Sequence, residues 1–303
     1  MNNYTKGSLS LFTARVFSGL NVNAMGYLLP LWIAPIGCVT MRLVFGAVVF
    51  SLVSIFAKPE SVSRGDKVKL MLLGALGIFG YMSLYAVSLS HTTPVSFAIF
   101  NAMQPLWVII VSAVLYHESV GARKLLGIAV GFVGALLCIL SEPNSEVADK
   151  PLLGNALSII ASIVYAVYLV FSSQLVGRVS RISILRYTFS SGAVVAVAVS
   201  LIVGFSAPMF EGGIKTTPAL VMAFVLLFPT VLTYFLIPIG MKYLSSTVVS
   251  IYGYVTLIVA AAVSFITGVD RFEPVVLLSL LLIGASIYLV SSDGKESPAS
   301  AAR

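Results

Sequence analysis

The sequence predicts an all-α integral membrane fold: ten transmembrane helices arranged as two inverted five-helix repeats. Three observations lead there. Of 303 residues, 59% are hydrophobic and only 10% charged, with a mean hydropathy of +1.04; soluble domains carry roughly 25% charged residues. Continuous apolar runs recur along the chain, each near the ~20 residues that cross a bilayer core. A weak internal repeat appears at a shift of 152 residues. Lipid offers the backbone no hydrogen bonds, so only helices or closed barrels span it, and runs of this length exclude the ~10-residue alternating strands of a barrel.

The spans are expected in the following order. The first, 8–29, is too long for a signal peptide and carries Arg15, Asn21 and Asn23, so it reads as a retained helix. Arg15 is placed toward the cytoplasmic end, where its head group can snorkel to water. The second, 33–57, follows Trp32, an interfacial anchor, and carries Arg42 about 14 Å along its axis, close to the bilayer midplane. The third, 68–90, follows Asp66 and carries Tyr81 and Tyr85. Asn101, Gln104 and Pro105 lie in the fourth, 94–116, with His117 and Glu118 just beyond it. Gly127, Gly131 and Gly134 form a small-residue packing face on the fifth, 122–141. The sixth, 152–176, opens after Asp149, Lys150 and Pro151 and holds Tyr165 and Tyr168. The seventh is 183–204. The eighth, 218–241, contains Pro229, Tyr234 and Pro238; the ninth, 247–268, contains Tyr252 and Tyr254. Asp270, Glu273 and Pro274 introduce the tenth, 274–291. Carboxylates at helix starts complement free N–H groups and the helix dipole. The units are then 1–148 (helices 1–5), 149–292 (helices 6–10), and a small polar tail, 293–303, expected to be disordered.

A net charge of +7 raises nucleic-acid binding, but no basic patch mixes with aromatics on a soluble element. The cations instead cluster in short loops. With the N-terminus cytoplasmic, the inside set is Lys6, Lys58, Arg64, Lys67, Lys69, Arg123, Lys124, Arg178, Arg181, Lys242, Lys295 and Arg303, against Lys150, Lys215 and Arg271 outside. That asymmetry puts both termini in the cytoplasm, in a plasma membrane of the bacterial inner type. Cys38 and Cys138 lie far apart in apolar runs and read as small hydrophobes; no metal site or cofactor is indicated. His91 and His117 sit at membrane edges as polar groups. Absence of HExxH, of GxSxG and of paired intramembrane aspartates argues against an intramembrane enzyme.

Shifted by 152 residues, LSHTTPVSFAIF falls on MKYLSSTVVSIY and IIVSAVLYHES on AAVSFITGVDR, with Glu118 on Asp270 and Ser112 on Ser264. Five spans followed by five place the second half upside down, the arrangement of alternating-access carriers. APIGCVTMR (Ala34–Arg42) resembles the second-helix signature of the EamA family of the drug/metabolite transporter superfamily. So does the ordered set Pro105, Glu118, Gly127 and Gly134, and MKYLSS resembles a further family segment in the second copy. Leu257, Asp270, Ser279 and Ser286 stand where the repeat would place Pro, Glu, Gly and Gly. The resemblance implies ten helices and export or uptake of small metabolites.

The candidate substrate-binding set is Arg42, Asn21, Asn101, Gln104, Tyr81, Tyr85, Tyr168, Tyr234 and Tyr252. Amides in lipid are unfavourable, so Asn21, Asn101 and Gln104 are expected to face an internal cavity. A midplane arginine should face the bundle interior, and no Asp or Glu lies inside any span to pair with it. Arg42 therefore either attracts an anionic substrate or is satisfied by carbonyls and hydroxyls. The structural or gating set is Pro105, Glu118, Gly127 and Gly134. Pro105 removes one helix hydrogen bond and bends its helix; Glu118 caps the next helix beside Arg123 and Lys124, or relays protons. Expected partners are a small-molecule substrate and the lipid bilayer, with a homodimer open and no nucleic acid. The expected function is secondary transport, in the export direction, of small polar or amphipathic metabolites such as amino acids or related compounds, by alternating access; the alternative is a membrane receptor or scaffold that does not transport.

Overall fold

The computed structural model describes residues 2–29, 31–58, 60–116, 121–141, 149–244, 249, 252–269 and 274–291. His117, Glu118, Asp270, Glu273 and the tail lie outside the described residues. Helices account for nearly all of the rest, and no β-strand occurs among the described residues. We label them α1 (Asn3–Leu28), α2 (Pro35–Ile55), α3 (Arg64–Leu89), α4 (Pro94–Leu115), α5 (Ala122–Ser141), α6 (Pro151–Ser173), α7 (Arg181–Val203), α8 (Thr216–Tyr243), α9 (Gly253–Thr267) and α10 (Pro274–Ser291). Six of them, α2, α3, α4, α6, α7 and α8, are long and apolar enough to cross a membrane by length and composition. Their outward faces are aliphatic: Leu52, Leu76, Val194, Leu201 and Ile202 are all exposed. In water such a surface would be an aggregation liability; it suits lipid contact.

Local sequence explains where the helices start. Pro35, Pro94 and Pro151 each take the first helical position, where a missing N–H costs nothing. Ser63 and Ser180 cap α3 and α7, their hydroxyls accepting from Asp66 N and Ser183 N. Two helices widen midway into π-helical turns: α3 over Leu73–Ile78 and α8 over Leu226–Leu232, the second enclosing Pro229. The fourth helix breaks at Met103, between Pro94–Ala102 and Gln104–Tyr116, two residues before Pro105.

Packing follows a regular scheme. The first helix lies between α8 and α9, and α6 lies between α3 and α4; α2 crosses α7, and α5 runs along α10. Exchanging each helix for the one five places away leaves this scheme unchanged. The same exchange relates individual contacts. A side chain at Gly46 would strike Phe189, and one at Gly192 would meet Leu43. Gly7 faces Tyr243 and Leu244, while Gly154 faces His91 and Thr92. Along α5, Ser286 of α10 donates to the Gly127 carbonyl at 2.6 Å and Gly131 faces Leu106 and Ser286, so the glycine stripe serves close helix packing.

Candidate binding cavity

The polar groups of α1, α2, α3, α4, α6, α8 and α9 converge on one internal cavity of about 40 Å³. A water needs roughly 10–15 Å³ of such space, whereas metabolite-sized sites run to about 300 Å³ and more. This form therefore holds a few waters and must open to admit anything larger. Of the residues expected from sequence, Arg42, Asn21, Asn101, Gln104, Tyr81, Tyr85 and Tyr234 line it.

Two expected residues fall elsewhere. Tyr168 lies one turn further along α6 from Tyr165 and lines a second, smaller cavity with Ser172, Ile184 and Pro238. Tyr252 precedes the first turn of α9 and is packed with Leu11, Leu244 and Val249, so it does not reach the cavity. Arg15 corrects a third expectation. It does not snorkel to water: it is 5% exposed and lines the cavity with Arg42, which is 4% exposed. Ser18, Tyr165, Thr233 and Thr256 join the wall without having been singled out as ligand contacts. Their signal was helical spacing. Arg15, Ser18 and Val22 recur at three and four residues on α1, as do Thr230, Thr233, Tyr234 and Ile237 on α8, each set forming one stripe.

Hydrogen bonds fix the wall. Asn21 Nδ2 donates to the Tyr85 hydroxyl at 2.9 Å, tying α1 to α3. On the far side of α1, Asn23 Nδ2 donates to Ala260 O at 2.9 Å, and Thr256 donates to the Arg15 carbonyl at 3.2 Å. Arg42 Nε donates to Thr230 Oγ1 at 2.9 Å, and that hydroxyl donates to Val225 O at 2.8 Å. Pro229 lacks the N–H that would pair Val225 O in an α-helix, and the π-helical turn over Leu226–Leu232 brings Thr230 to that carbonyl instead. Aromatic rings complete the lining, with Tyr81 4.4 Å from Tyr165 and 5.9 Å from Tyr85, centroid to centroid. Trp107 is not in the wall; its ring meets Phe132 edge-on at 5.4 Å.

The two ends of the bundle differ. At the end opposite the N-terminus, Ser88 Oγ lies 2.6 Å from Ser158 Oγ, and Thr92 donates to Asn155 Oδ1 at 2.6 Å. His91 Nδ1 is 2.7 Å from Asp149 Oδ1 there, and this hydrogen bond holds the Asp149 carboxyl below its ordinary pKa. Backbone bonds from Ala34 to Ser206 and from Met209 to Trp32 join the loops above. Toward the N-terminal end, the second cavity adjoins the first, and Tyr165, Tyr234 and Ile237 line both.

A polar, arginine-bearing cavity inside a chain of apolar helices with an aliphatic exterior defines an integral membrane protein. The chain belongs to the EamA-like transporter family, whose model matches residues 5–140 and again 152–292; it is a membrane transporter. Its relatives are similarly named. One is uncharacterized transporter YyaM of Bacillus subtilis, 26% identical over 293 residues, covering 94% of this chain and 95% of its own. An uncharacterized transporter of Archaeoglobus fulgidus is 24% identical over 178 residues, 59% of this chain and 61% of its own. A solved crystal structure shares the fold with a TM-score of 0.66, over 97% of this chain and 99% of that one, at 16% identity.

Proposed function

We propose that the protein is a secondary carrier that exports small polar or amphipathic metabolites, amino acids and related compounds among them, by alternating access. The observation that carries this reading is the convergence of Arg42, Asn21, Asn101, Gln104 and four tyrosines on one cavity within an apolar bundle. Ten helices in two inverted five-helix units, 1–148 and 149–292, fit the double family match and the packing scheme that survives exchange of the halves. Two such units can rock about a shared site. Cations crowd the loops on the N-terminal side, so both termini are assigned to the cytoplasm of a bacterial inner-membrane protein. The second cavity adjoins from that same end, the side from which an exporter loads.

The test is flux in vesicles reconstituted with the purified protein, using a panel of amino acids and aromatic metabolites. Movement of at least one class well above empty vesicles is expected. No movement of any member would overturn the carrier reading and leave binding without transport.

A further inference from the structure

From the pair of buried arginines in the cavity wall, we infer that the cargo carries two acidic groups, one facing Arg15 and one facing Arg42. The inference rests on the carrier reading and narrows it to a substrate class. Both guanidinium groups are at least nine-tenths buried, and both line the same small cavity. Arg15 Nε has no hydrogen-bond partner, and neither does Asn21 Oδ1 beside it. Arg42 spends Nε on an uncharged hydroxyl, Thr230, which neutralises nothing.

Among the described residues, no carboxylate answers either cation. Within the helices the sequence has one acidic residue, Asp66, in the first turn of α3, where it accepts from Ser63. Among the described residues the ion pair is His91–Asp149, in the loops at the far end of the bundle. A buried cation in the membrane is ordinarily paired, and an unpaired one marks a substrate path. One unpaired arginine fits a monocarboxylate; two on one cavity leave a surplus positive charge after a monoanion binds. A guanidinium matches carboxylate and phosphate through two parallel hydrogen bonds. A dicarboxylate supplies that chemistry at both ends. The tyrosines and Asn101 supply uncharged contacts to the carbon skeleton between the acidic ends.

The test compares probes of fixed charge on the full-length protein, by thermal shift in detergent and by flux into vesicles. Succinate and glutarate are the doubly charged probes; acetate and lactate are singly charged; L-phenylalanine is zwitterionic; sodium chloride controls for a simple ion. At least one doubly charged probe is expected to bind tenfold or more tightly than either monoanion and to move. Arg15→Gln and Arg42→Gln should each cut that preference tenfold. Neither should lower the melting temperature of the ligand-free protein, because each removes an unpaired buried charge. If Arg15→Gln does not fold, Arg15→Met, uncharged and unbranched, removes the same charge and should show the same loss of preference. Monoanions binding as tightly as dianions, an unaltered preference in the Arg15 variants, or a response to chloride equal to that of the organic dianions overturns the inference. Movement of L-phenylalanine with no movement of a dianion also overturns it, yet leaves the carrier reading standing. Only failure of every probe to move strikes both.

Discussion

Thr230 shows how much of the site depends on a single hydroxyl. It accepts from Arg42 and donates to Val225 O, at the π-helical turn that encloses Pro229, so it links a helix irregularity to the orientation of a cation. Thr230→Val keeps the shape and removes both bonds. Leaving a buried donor unpaired costs about 1–3 kcal/mol, so the melting temperature in detergent should fall and Thr230→Ser should restore it. An unchanged melting temperature would show that Arg42 finds an equivalent partner. Sequence alone made Arg42 legible, because a midplane charge must face inward. It did not yield Thr230, since a hydroxyl in an apolar run carries no sign of its partner. Arg15 was misjudged for a related reason. Depth was counted from an expected start at residue 8, whereas α1 begins at Asn3 and carries Arg15 to its middle.

At the scale of elements, boundaries were largely visible in the apolar runs: 122–141 and 274–291 coincide with α5 and α10. The π-helical turns were not, because nothing in hydropathy distinguishes a widened turn from a regular one. They open at Leu73 and Leu226, 153 residues apart, in helices that the repeat pairs. The one in α3 brings Gly74 against the Thr188 carbonyl and Ser191 of α7, where a methyl group would collide with backbone. Gly74→Ala should therefore destabilise by about 1–3 kcal/mol, the usual range for overpacking, seen as a lower melting temperature; a neutral result would mean the two helices slide apart freely. A second junction responds to pH. Glu60 accepts from Ser180 N at 2.9 Å and from the Ser183 hydroxyl at 2.6 Å, clamping the α2–α3 loop to the start of α7. Partial burial raises the Glu60 pKa, but these hydrogen bonds outweigh it and hold the group below its ordinary value. Because the folded pKa is depressed, the clamp stabilises fully above the ordinary carboxylate range and is lost as pH falls through the lowered value. Melting curves of the native protein and Glu60→Gln should differ at pH 7 and converge in acid; a gap that persists in acid would contradict the assignment.

Across the whole molecule, the all-helical membrane fold was legible in the apolar runs, whereas the cavity was not, because it draws on seven helices distant in sequence. The structure has one end tied by the Ser88, Thr92 and His91 contacts and a second cavity adjoining from the other. Cysteines placed at the two termini should react with an impermeant reagent from the same face of the membrane; reaction from opposite faces would break the inverted arrangement. The central claim is that the buried cavity opens to each side in turn. Thr233 lines it and is 3% exposed. In a background with Cys38 and Cys138 replaced by serine, Thr233→Cys should react with an impermeant maleimide applied to either face, and bound substrate should slow both reactions. Labelling from one face alone, or from neither, would contradict the account.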